Sequence, residues 1–347
     1  MLFPLLLWLP LCMLSKYAQV NAVISGEGIA TYTKDIMNHQ LSDGAIVMGS
    51  SSNSPSSYTV IPYVSNLAVI GLLKAYKSDP DPHILKASLN WLFWYLGHRE
   101  PDGVIQDHTG MPGNWHGTGK ADSYDSYAAT WLIAASELVT YPIAEKDKLR
   151  LEKAVPQFVQ VIENVMEPDG LTIPLPTYPV MYLMDNVEVY NGLKSAARLV
   201  QSLHPRLALL CMDMAARDVR CIDSLLWNSS TDCYRVGIQT DGAKQNSDLK
   251  NWYPDRMAQL MAIAWLPINS RRLRLYQKMK ESGYMSFSKM HTPDESLERE
   301  AWWGMAALNS KDMDALSKIR RELRNFTDFS SITDPALEGH VCRILAR

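Results

Sequence analysis

The chain has 347 residues, of which 47% are hydrophobic, and its formal net charge is -3. This length and composition allow a large buried core, in one large domain or two ordinary ones. The small negative charge excludes the basic surface field that binding along a phosphate backbone requires, so no nucleic-acid partner is expected.

The first predicted element is an export signal. An apolar run from Leu2 to Leu14 is followed by polar Ser15 and Lys16 and by the small-residue site at residues 20–22. The run is too short to span a bilayer as a helix. This pattern predicts a signal peptide at 1–22, a mature chain at 23–347 that forms one domain, and a secreted or periplasmic protein. Because no basic residue precedes the run, an uncleaved anchor remains an alternative.

An Asp-Gly phrase recurs about every 60 residues, at Asp43-Gly44, Asp102-Gly103 and Asp169-Gly170. Each phrase follows one helix-like stretch and precedes another, which is typical of repeated helical hairpins. Apolar spacing of three and four predicts twelve helices in six pairs, with a short two-stranded excursion at Tyr234 to Thr240. The predicted helices are 28–40, 63–77, 83–99, 123–139, 146–166, 186–203, 206–227, 256–266, 271–281, 298–308, 312–325 and 337–345.

The two helices of each pair differ in character. First members, such as residues 149–165 and 271–281, carry charges along one face, as helices exposed to solvent do. Second members, such as residues 128–135 and 257–265, are apolar nearly all round and rich in small residues. The sequence therefore predicts an inner ring of second members enclosed by an outer ring of first members.

Six hairpins with these two rings, and Asp-Gly turns that enter long loops, resemble the six-hairpin glycosidase superfamily. The resemblance covers essentially the whole mature chain. It implies an all-α (α/α)6 barrel with catalytic acids where inner helices begin, at the end that carries the long loops. It also implies a carbohydrate substrate, although hydrolases, lyases and sugar epimerases share the architecture.

Each predicted inner helix begins with acidic residues, and two of these form the favoured catalytic pair. Asp122 is interpreted as a helix cap, which leaves Asp125 one turn further in and facing the barrel axis. Asp185 occupies the corresponding place on the next inner helix. Neighbouring helices about 8–10 Å apart would leave the gap of about 6.5–9.5 Å that an inverting glycosidase needs for its water. Asp185 is the preferred acid because its approach is apolar, and Glu300 is the reserve base.

Substrate-binding residues are expected in the loops and helix starts around this pair. Aromatic rings can stack on the apolar face of a sugar, and the chain has 10 Trp and 16 Tyr. An arginine could clamp an acidic sugar. The candidates are Trp115, His116, Tyr127, Glu188, Trp252, Asp255, Arg256 and Trp302.

The sequence leaves other points open. A lyase or epimerase on the same barrel would use Tyr or His bases, with His116 as the candidate, and a non-catalytic carbohydrate-binding protein would use the acids only as caps. Cys211, Cys221, Cys233 and Cys342 could form two disulfides in three connectivities. No Cys or Cys/His spacing suggests a metal site, so no metal and no cofactor are expected. A monomer is expected, with no membrane attachment after signal cleavage.

Overall fold

The computed structural model describes residues 28–49, 56–281, 293–326 and 332–346, so the predicted signal peptide at 1–22 lies outside the described residues. Within these ranges the chain forms twelve α-helices. They are α1 (28–38), α2 (Pro62–Ser78), α3 (Pro82–His98), α4 (Tyr124–Leu138), α5 (Glu145–Asn164), α6 (Leu183–Val200), α7 (Pro205–Cys221), α8 (Met257–Trp265), α9 (Ser270–Glu281), α10 (Pro293–Asn309), α11 (Met313–Arg324) and α12 (Pro335–Leu345).

The even-numbered helices form a closed inner ring. Each packs against the next, from α2 through α4, α6, α8 and α10 to α12, and α12 packs against α2. The odd-numbered helices surround them. Outer helix α3 contacts α2 and α4, α5 contacts α4 and α6, and α11 contacts α10 and α12. The predicted (α/α)6 barrel of six hairpins is confirmed.

Burial explains which helices form each ring. Nearly every side chain of α4 and α8 is buried, as expected for helices packed on all sides. Outer helix α5 instead buries one stripe that includes Leu151, Val155, Phe158 and Ile162, at spacings of three and four. Its charged residues lie on the other face. The difference in composition between the two members of each pair therefore determines the ring in which each one lies.

Small residues allow the inner helices to approach closely. A β-carbon on Gly71 of α2 would lie 2.2 Å from the α-carbon of Gly339 on α12. A β-carbon on Gly192 of α6 would lie 2.6 Å from Ala129 of α4. The ring therefore closes, between its first and last helices, through a contact that only glycine permits.

Buried polar side chains connect the helices between these close contacts. Asn66 of α2 donates to the Tyr127 carbonyl and to the Thr130 hydroxyl of α4, at 3.1 and 3.0 Å. Its oxygen accepts from the Trp91 indole of α3 at 2.9 Å. Because all the polar atoms of this amide are paired, its burial costs little and the contact links three helices.

The three Asp-Gly phrases form the same turn. In each, the aspartate oxygen accepts from the backbone N–H two residues later, at 3.2, 3.0 and 3.0 Å. The glycine has a positive φ of 100°, 94° or 104°, which an L side chain rarely adopts. These glycines lie against the next outer helix, at Asn90 of α3, Gln157 of α5 and Arg217 of α7.

Short strands occupy the segments that lead from an outer helix to the following inner helix. Strands β1 (Tyr58–Val60), β2 (His108–Met111) and β3 (Asn114–Gly117) form one antiparallel sheet in that order. A second sheet has the order β4 (Val180–Tyr182), β7 (Gly237–Gln239) and β8 (Lys244–Gln245), and β5 (Trp227–Asn228) pairs with β6 (Cys233–Tyr234). The excursion predicted at Tyr234 to Thr240 is therefore divided between two sheets, because β6 and β7 pair with different partners.

All four cysteines considered as disulfide partners, Cys211, Cys221, Cys233 and Cys342, are free thiols, and three of them are buried. The two disulfides left open by the sequence are therefore not formed between them. Among the helices of the described residues, none combines the length and the apolar character needed to cross a bilayer.

Candidate active site

A cavity of about 350 Å³ lies where the inner helices α4, α6 and α8 begin. Its walls come from the segments that lead into these three helices, so the loop end of the barrel forms it. The lining residues are Ala121, Asp122, Pro174, Leu175, Tyr178, Tyr182, Met184, Asp185, Tyr253 and Pro254. The groups in this lining that can ionise or form hydrogen bonds through their side chains are two carboxyl groups and three tyrosine hydroxyls.

Asp185 lies in the first turn of α6 and lines the cavity. Burial raises the pKa of its carboxyl group well above the ordinary value, and the negative charges of Asp125 and Glu188 raise it further. Both effects disfavour the ionised form. Asp185 therefore keeps its proton at a pH where an exposed aspartate has lost it, as a general acid requires.

Asp125, the predicted partner of Asp185, is fully buried and is not part of the cavity wall. Its carboxylate accepts hydrogen bonds from the Ser123 hydroxyl at 3.0 Å, the Ser126 backbone N–H at 2.8 Å and the Thr172 hydroxyl at 2.5 Å. Burial raises the pKa of Asp125 to about 6, while these hydrogen bonds act in the opposite direction. The Asp125 carboxylate lies close enough to Asp185 to raise its pKa. The Asp125 oxygens already accept hydrogen bonds from Ser123, Ser126 and Thr172.

Asp122 does not cap α4, in contrast to the prediction. The N-cap is Ser123, whose side-chain oxygen accepts from the Ser126 N–H at 3.1 Å. Helix α4 begins one residue later than that interpretation assumed, and Asp122 stays in the preceding loop. Its exposed side chain lines the cavity together with Asp185.

Three tyrosines form the aromatic wall. The rings of Tyr178 and Tyr182 stack with centroids 6.3 Å apart and an interplanar angle of 25°, and their hydroxyls lie 3.2 Å apart. Tyr253 comes from the segment before α8 and is 66% exposed. The charges of Asp122 and Asp185 both act on its hydroxyl group, and burial and these charges raise its pKa. Tyr253 therefore lies close to both carboxyl groups.

The predicted binding residues Glu188 and Tyr127 are buried and do not line the cavity. Tyr63 of α2 donates to the Glu188 carboxylate at 2.7 Å, and burial raises the pKa of Glu188 to about 8. The ring of Tyr63 stacks on Tyr127, with centroids 6.1 Å apart. The Tyr127 hydroxyl donates to Asp107 at 2.8 Å and accepts from the Asp122 N–H at 3.3 Å. These residues support the cavity from the barrel interior and fix the backbone at Asp122.

The loop before α8 uses its predicted binding residues for its own structure. The Trp252 indole N–H donates to Glu298 of α10 at 2.8 Å. Asp255 is buried and accepts from the Asp248 N–H at 2.6 Å. The Arg256 guanidinium donates to the carbonyls of residues 249 and 250, at 2.5 and 2.7 Å. This loop therefore presents Tyr253 to the cavity, whereas Trp252 is turned inward.

Glu300 and Trp302 of α10 lie outside the cavity lining. Burial and then the charge of Glu322 on α11 raise the pKa of Glu300 to about 7, which places Glu300 on the side of α10 that faces the outer ring. Trp302 is fully buried, with ring centroids 4.8 Å from His340 and 5.8 Å from Trp265. Trp302 therefore fills the core between inner helices.

Trp115 lines a second cavity of about 540 Å³ between outer helix α3 and the β2–β3 hairpin. Its indole N–H donates to Asp43 at 2.7 Å, and its ring packs edge-on against Trp94. His116 is exposed on β3, opposite Thr109 of β2. Neither residue belongs to the cavity that contains Asp122 and Asp185.

Asp122 and Tyr253 line the cavity, although the sequence did not indicate a binding or catalytic role for either. The position of Asp122 just before the helix predicts a cap, but α4 begins one residue later and Ser123 takes that role. The predicted binding residue in the loop of Tyr253 is its neighbour Trp252, which the structure buries. Pro254 disfavours helical backbone at the residue before it, and Tyr253 is extended, with φ -105° and ψ 134°. This local signal is present in the sequence.

Comparison with solved structures identifies the class of fold. GH63 mannosylglycerate hydrolase from Thermus thermophilus, in complex with Tris, superposes with a TM-score of 0.64 at 10% identity, over 92% of this chain and 100% of that one. A D-mannose isomerase gives 0.61 at 13% identity, over 94% and 96%. Rex8A from Paenibacillus barcinonensis, complexed with xylose, gives 0.58 at 13% identity, over 92% and 93%.

These matches show that the protein has the (α/α)6 barrel fold that the resemblance implied. No protein-family model and no curated protein sequence matches the chain. The similarity is therefore one of fold.

Proposed function

We propose that the protein is a glycoside hydrolase that cleaves a glycosidic bond in an oligo- or polysaccharide with inversion at the anomeric carbon. The observation that carries this proposal is the pairing of Asp122 and Asp185 in one aromatic-walled cavity at the loop end of the barrel. The cavity volume lies in the range of about 300–1,000 Å³ that is usual for small-molecule sites.

The two carboxyl groups take different roles because their environments differ. Asp185, whose pKa is raised, donates its proton to the leaving glycosidic oxygen as the C–O bond breaks. Asp122, which is exposed, accepts a proton from the water that attacks the anomeric carbon on the opposite face. One water is consumed: its hydroxyl group is added to the anomeric carbon and its proton is taken by Asp122. Asp122 then releases that proton to solvent and Asp185 takes one up, which restores both groups.

The tyrosine wall supplies the substrate contacts. A pyranose has an apolar face that stacks on aromatic rings and a rim of hydroxyls that needs hydrogen-bond partners. Tyr178, Tyr182 and Tyr253 offer both a ring and a phenol oxygen at the cavity. Three rings beside two carboxyl groups are the arrangement expected for a carbohydrate.

Asp125 acts as a positioning residue in this proposal, and Asp122 replaces it as the base. A base must reach the attacking water. The Asp125 carboxylate is fully buried and accepts three hydrogen bonds, whereas Asp122 lines the cavity. The effect of Asp125 on the reaction comes through the pKa of Asp185.

A sugar isomerase or epimerase is the second candidate, since a D-mannose isomerase shares the fold. Among the described residues that line the cavity there is no histidine, and His116 lies outside it. The acids of the cavity therefore favour hydrolysis, and a tyrosine base is what the isomerase alternative would require. A non-catalytic carbohydrate-binding protein is the third candidate.

The test uses Asp185→Asn and Asp122→Asn, with Asp213→Asn on the exposed face of α7 as the matched control. Purified protein is screened on an oligo- and polysaccharide panel, and NMR follows the anomer of the first product. We expect inversion, with kcat lower by about 10²–10⁴ in both cavity variants and unchanged in the control. Full activity in both cavity variants would overturn the assignment. An isomerised product would support the second candidate, and binding without turnover the third.

We also propose that the protein is exported through residues 1–22 and acts as a monomer. The apolar run from Leu2 to Leu14 and the small-residue site after it support export. Sequencing the N-terminus of the protein recovered from the medium or periplasm, together with its mass in solution, tests both points. An intact N-terminus in the cytoplasm would contradict export, and a dimeric mass would contradict the monomer.

A further inference from the structure

Three titratable residues that the proposed reaction does not use meet between the first outer helix and the last inner helix. Asp35 lies in α1, His39 follows the end of α1, and Glu338 lies in the first turn of α12. One ligand atom from each lies within 4.8 Å of the others. These separations are small enough for a single ion, with bonds of about 2.0–2.6 Å, to contact all three after small side-chain movements.

Glu338 is the least satisfied member of this cluster. It is fully buried, and neither carboxylate oxygen accepts a hydrogen bond from a donor among the described residues. Asp35 lies close enough to Glu338 for the two carboxyl groups to share a proton, and the negative charge of Asp334 also acts on Glu338. A buried carboxylate without a donor is costly, so a positive charge or a proton must offset it.

The His39 ring is buried, and one of its two nitrogens is held by a backbone carbonyl. Its imidazole is 2% exposed, and Nδ1 lies 3.0 Å from the Val47 carbonyl. A carbonyl only accepts, so Nδ1 carries a proton, and Nε2 is the nitrogen whose lone pair a metal ion would take. Histidines that bind metals commonly donate their other ring N–H to a backbone carbonyl in this way.

We propose that Asp35, His39 and Glu338 form a binding site for one divalent first-row transition-metal ion. Two carboxylates and one imidazole suit an ion such as Mn²⁺, which accepts both oxygen and nitrogen ligands. Asp35 is partly exposed and gives the ion a path from solvent. The bound ion joins α1 to α12, which belong to the first and last hairpins, so its role is to stabilise the closed ring.

Asp35 and His39 are four residues apart, but Glu338 lies about 300 residues further along the chain, so sequence spacing does not connect the three ligands. The competing explanation is a proton shared between the carboxyl groups of Asp35 and Glu338. A shared proton satisfies both groups without any ion and predicts no specific metal binding.

Titration of the full-length, EDTA-dialysed protein with Mn²⁺ separates these explanations. Mn²⁺ is the probe because the free thiols would compete for a softer ion. Electron paramagnetic resonance follows the signal of free Mn²⁺, and spin-echo modulation detects a nitrogen ligand on the bound ion. We expect one Mn²⁺ per chain, a directly bound nitrogen, and a rise in Tm when Mn²⁺ is added.

The variants His39→Gln and Glu338→Gln should bind Mn²⁺ at least about tenfold more weakly and lose the rise in Tm. The matched control is His83→Gln, which removes an exposed imidazole that also lies beside an aspartate, Asp81. This control should bind as the wild type does. If a buried variant does not fold, Asp35→Asn at the partly exposed ligand replaces it.

Absence of saturable binding in the wild type would overturn the proposal, as would a bound ion without a nitrogen ligand. Equal affinity in the wild type and in folded His39→Gln protein would also overturn it. Each of these results is read from the ion itself and does not depend on the catalytic activity.

Discussion

The buried carboxylate of Asp125 raises the pKa of Asp185, and after burial it is the largest cause of that shift. The two residues lie in the first turns of adjacent inner helices, α4 and α6. Asp125 is itself held by three hydrogen bonds, one of them from Thr172. An acid that does not line the cavity therefore widens the pH range in which the cavity acid keeps its proton.

Replacing Asp125 with Asn should move the alkaline limb of the pH profile of kcat/KM to lower pH. The substitution removes a negative charge that favours protonated Asp185, so the pKa of Asp185 falls and the acid loses its proton earlier as pH rises. Asparagine keeps an oxygen that can accept from Ser123 and Ser126. The comparison is with Asp213→Asn, and an alkaline limb that stays in place would contradict the coupling.

Glu188→Gln should remove part of the pH dependence of stability. The pKa of Glu188 is about 8 in the folded protein, against 4.5 for the free group, so between these values only the folded state holds the proton. The stabilisation from this group is complete below about pH 4.5 and is lost as pH rises to about 8, with a slope of at most about 1.4 kcal/mol per pH unit.

Urea denaturation at a series of pH values measures this effect. The free energy of unfolding of Glu188→Gln should decline less than that of the wild type across this range, and the glutamine oxygen can still accept from Tyr63. Glu145→Gln, at an exposed position in the first turn of α5, serves as the control. Parallel curves for the wild type and Glu188→Gln would show that Glu188 ionises normally.

Tyr253→Ala should lower kcat/KM by about fivefold or more, because loss of one stacked ring removes about 1 kcal/mol of contact in addition to the buried area. Tyr253→Phe should retain most of the activity, since it keeps the ring. Trp115→Ala should leave kcat/KM on a short oligosaccharide unchanged, because Trp115 lines a different cavity. Steady-state kinetics measure kcat/KM for the three variants and for the wild type. A larger loss from Trp115→Ala than from Tyr253→Ala would place the substrate in that second cavity.

Gly71→Ala should destabilise the protein by about 3 kcal/mol or more. The added methyl would lie 2.2 Å from the backbone of Gly339, so α2 and α12 would have to separate. Gly97→Ala on α3 is the control, because nothing lies within 4 Å of its added methyl. This control should be stabilised by about 0.5–1 kcal/mol through higher helix propensity. Denaturant midpoints measure both, and equal midpoints would contradict the close approach.

The fold could be predicted because its signals are local. Helix α3, for example, begins with Asp81 as its N-cap and Pro82 in its first turn, and its apolar spacing needs no long-range information. The Asp-Gly turns are equally local. The aspartate accepts a hydrogen bond from the N–H two residues later, and the glycine between them adopts the positive φ. Each hairpin could therefore be predicted from its own segment of sequence. Six successive hairpins are the number that an (α/α)6 barrel contains.

Which residues line the cavity depends on where each inner helix begins and how it is rotated about its axis. The sequence does not determine either of these. A one-residue difference in the start of α4 leaves Asp122 in the loop and buries Asp125. Glu298 and Glu300 are two positions apart on α10, which turns them to different faces; Glu298 meets Trp252, while Glu300 faces Glu322. The start of α4 and the rotation of α10 follow from packing between helices. The spacing of apolar residues in the sequence does not show them.

Because α12 completes the barrel by packing on α2, the nascent chain cannot close until its last helix has left the ribosome. Until then the apolar surfaces of α2 and of α10 that α12 will cover stay in contact with water or with a chaperone. A protein truncated before residue 335 would keep these apolar surfaces of α2 and α10 exposed, so it is expected to aggregate.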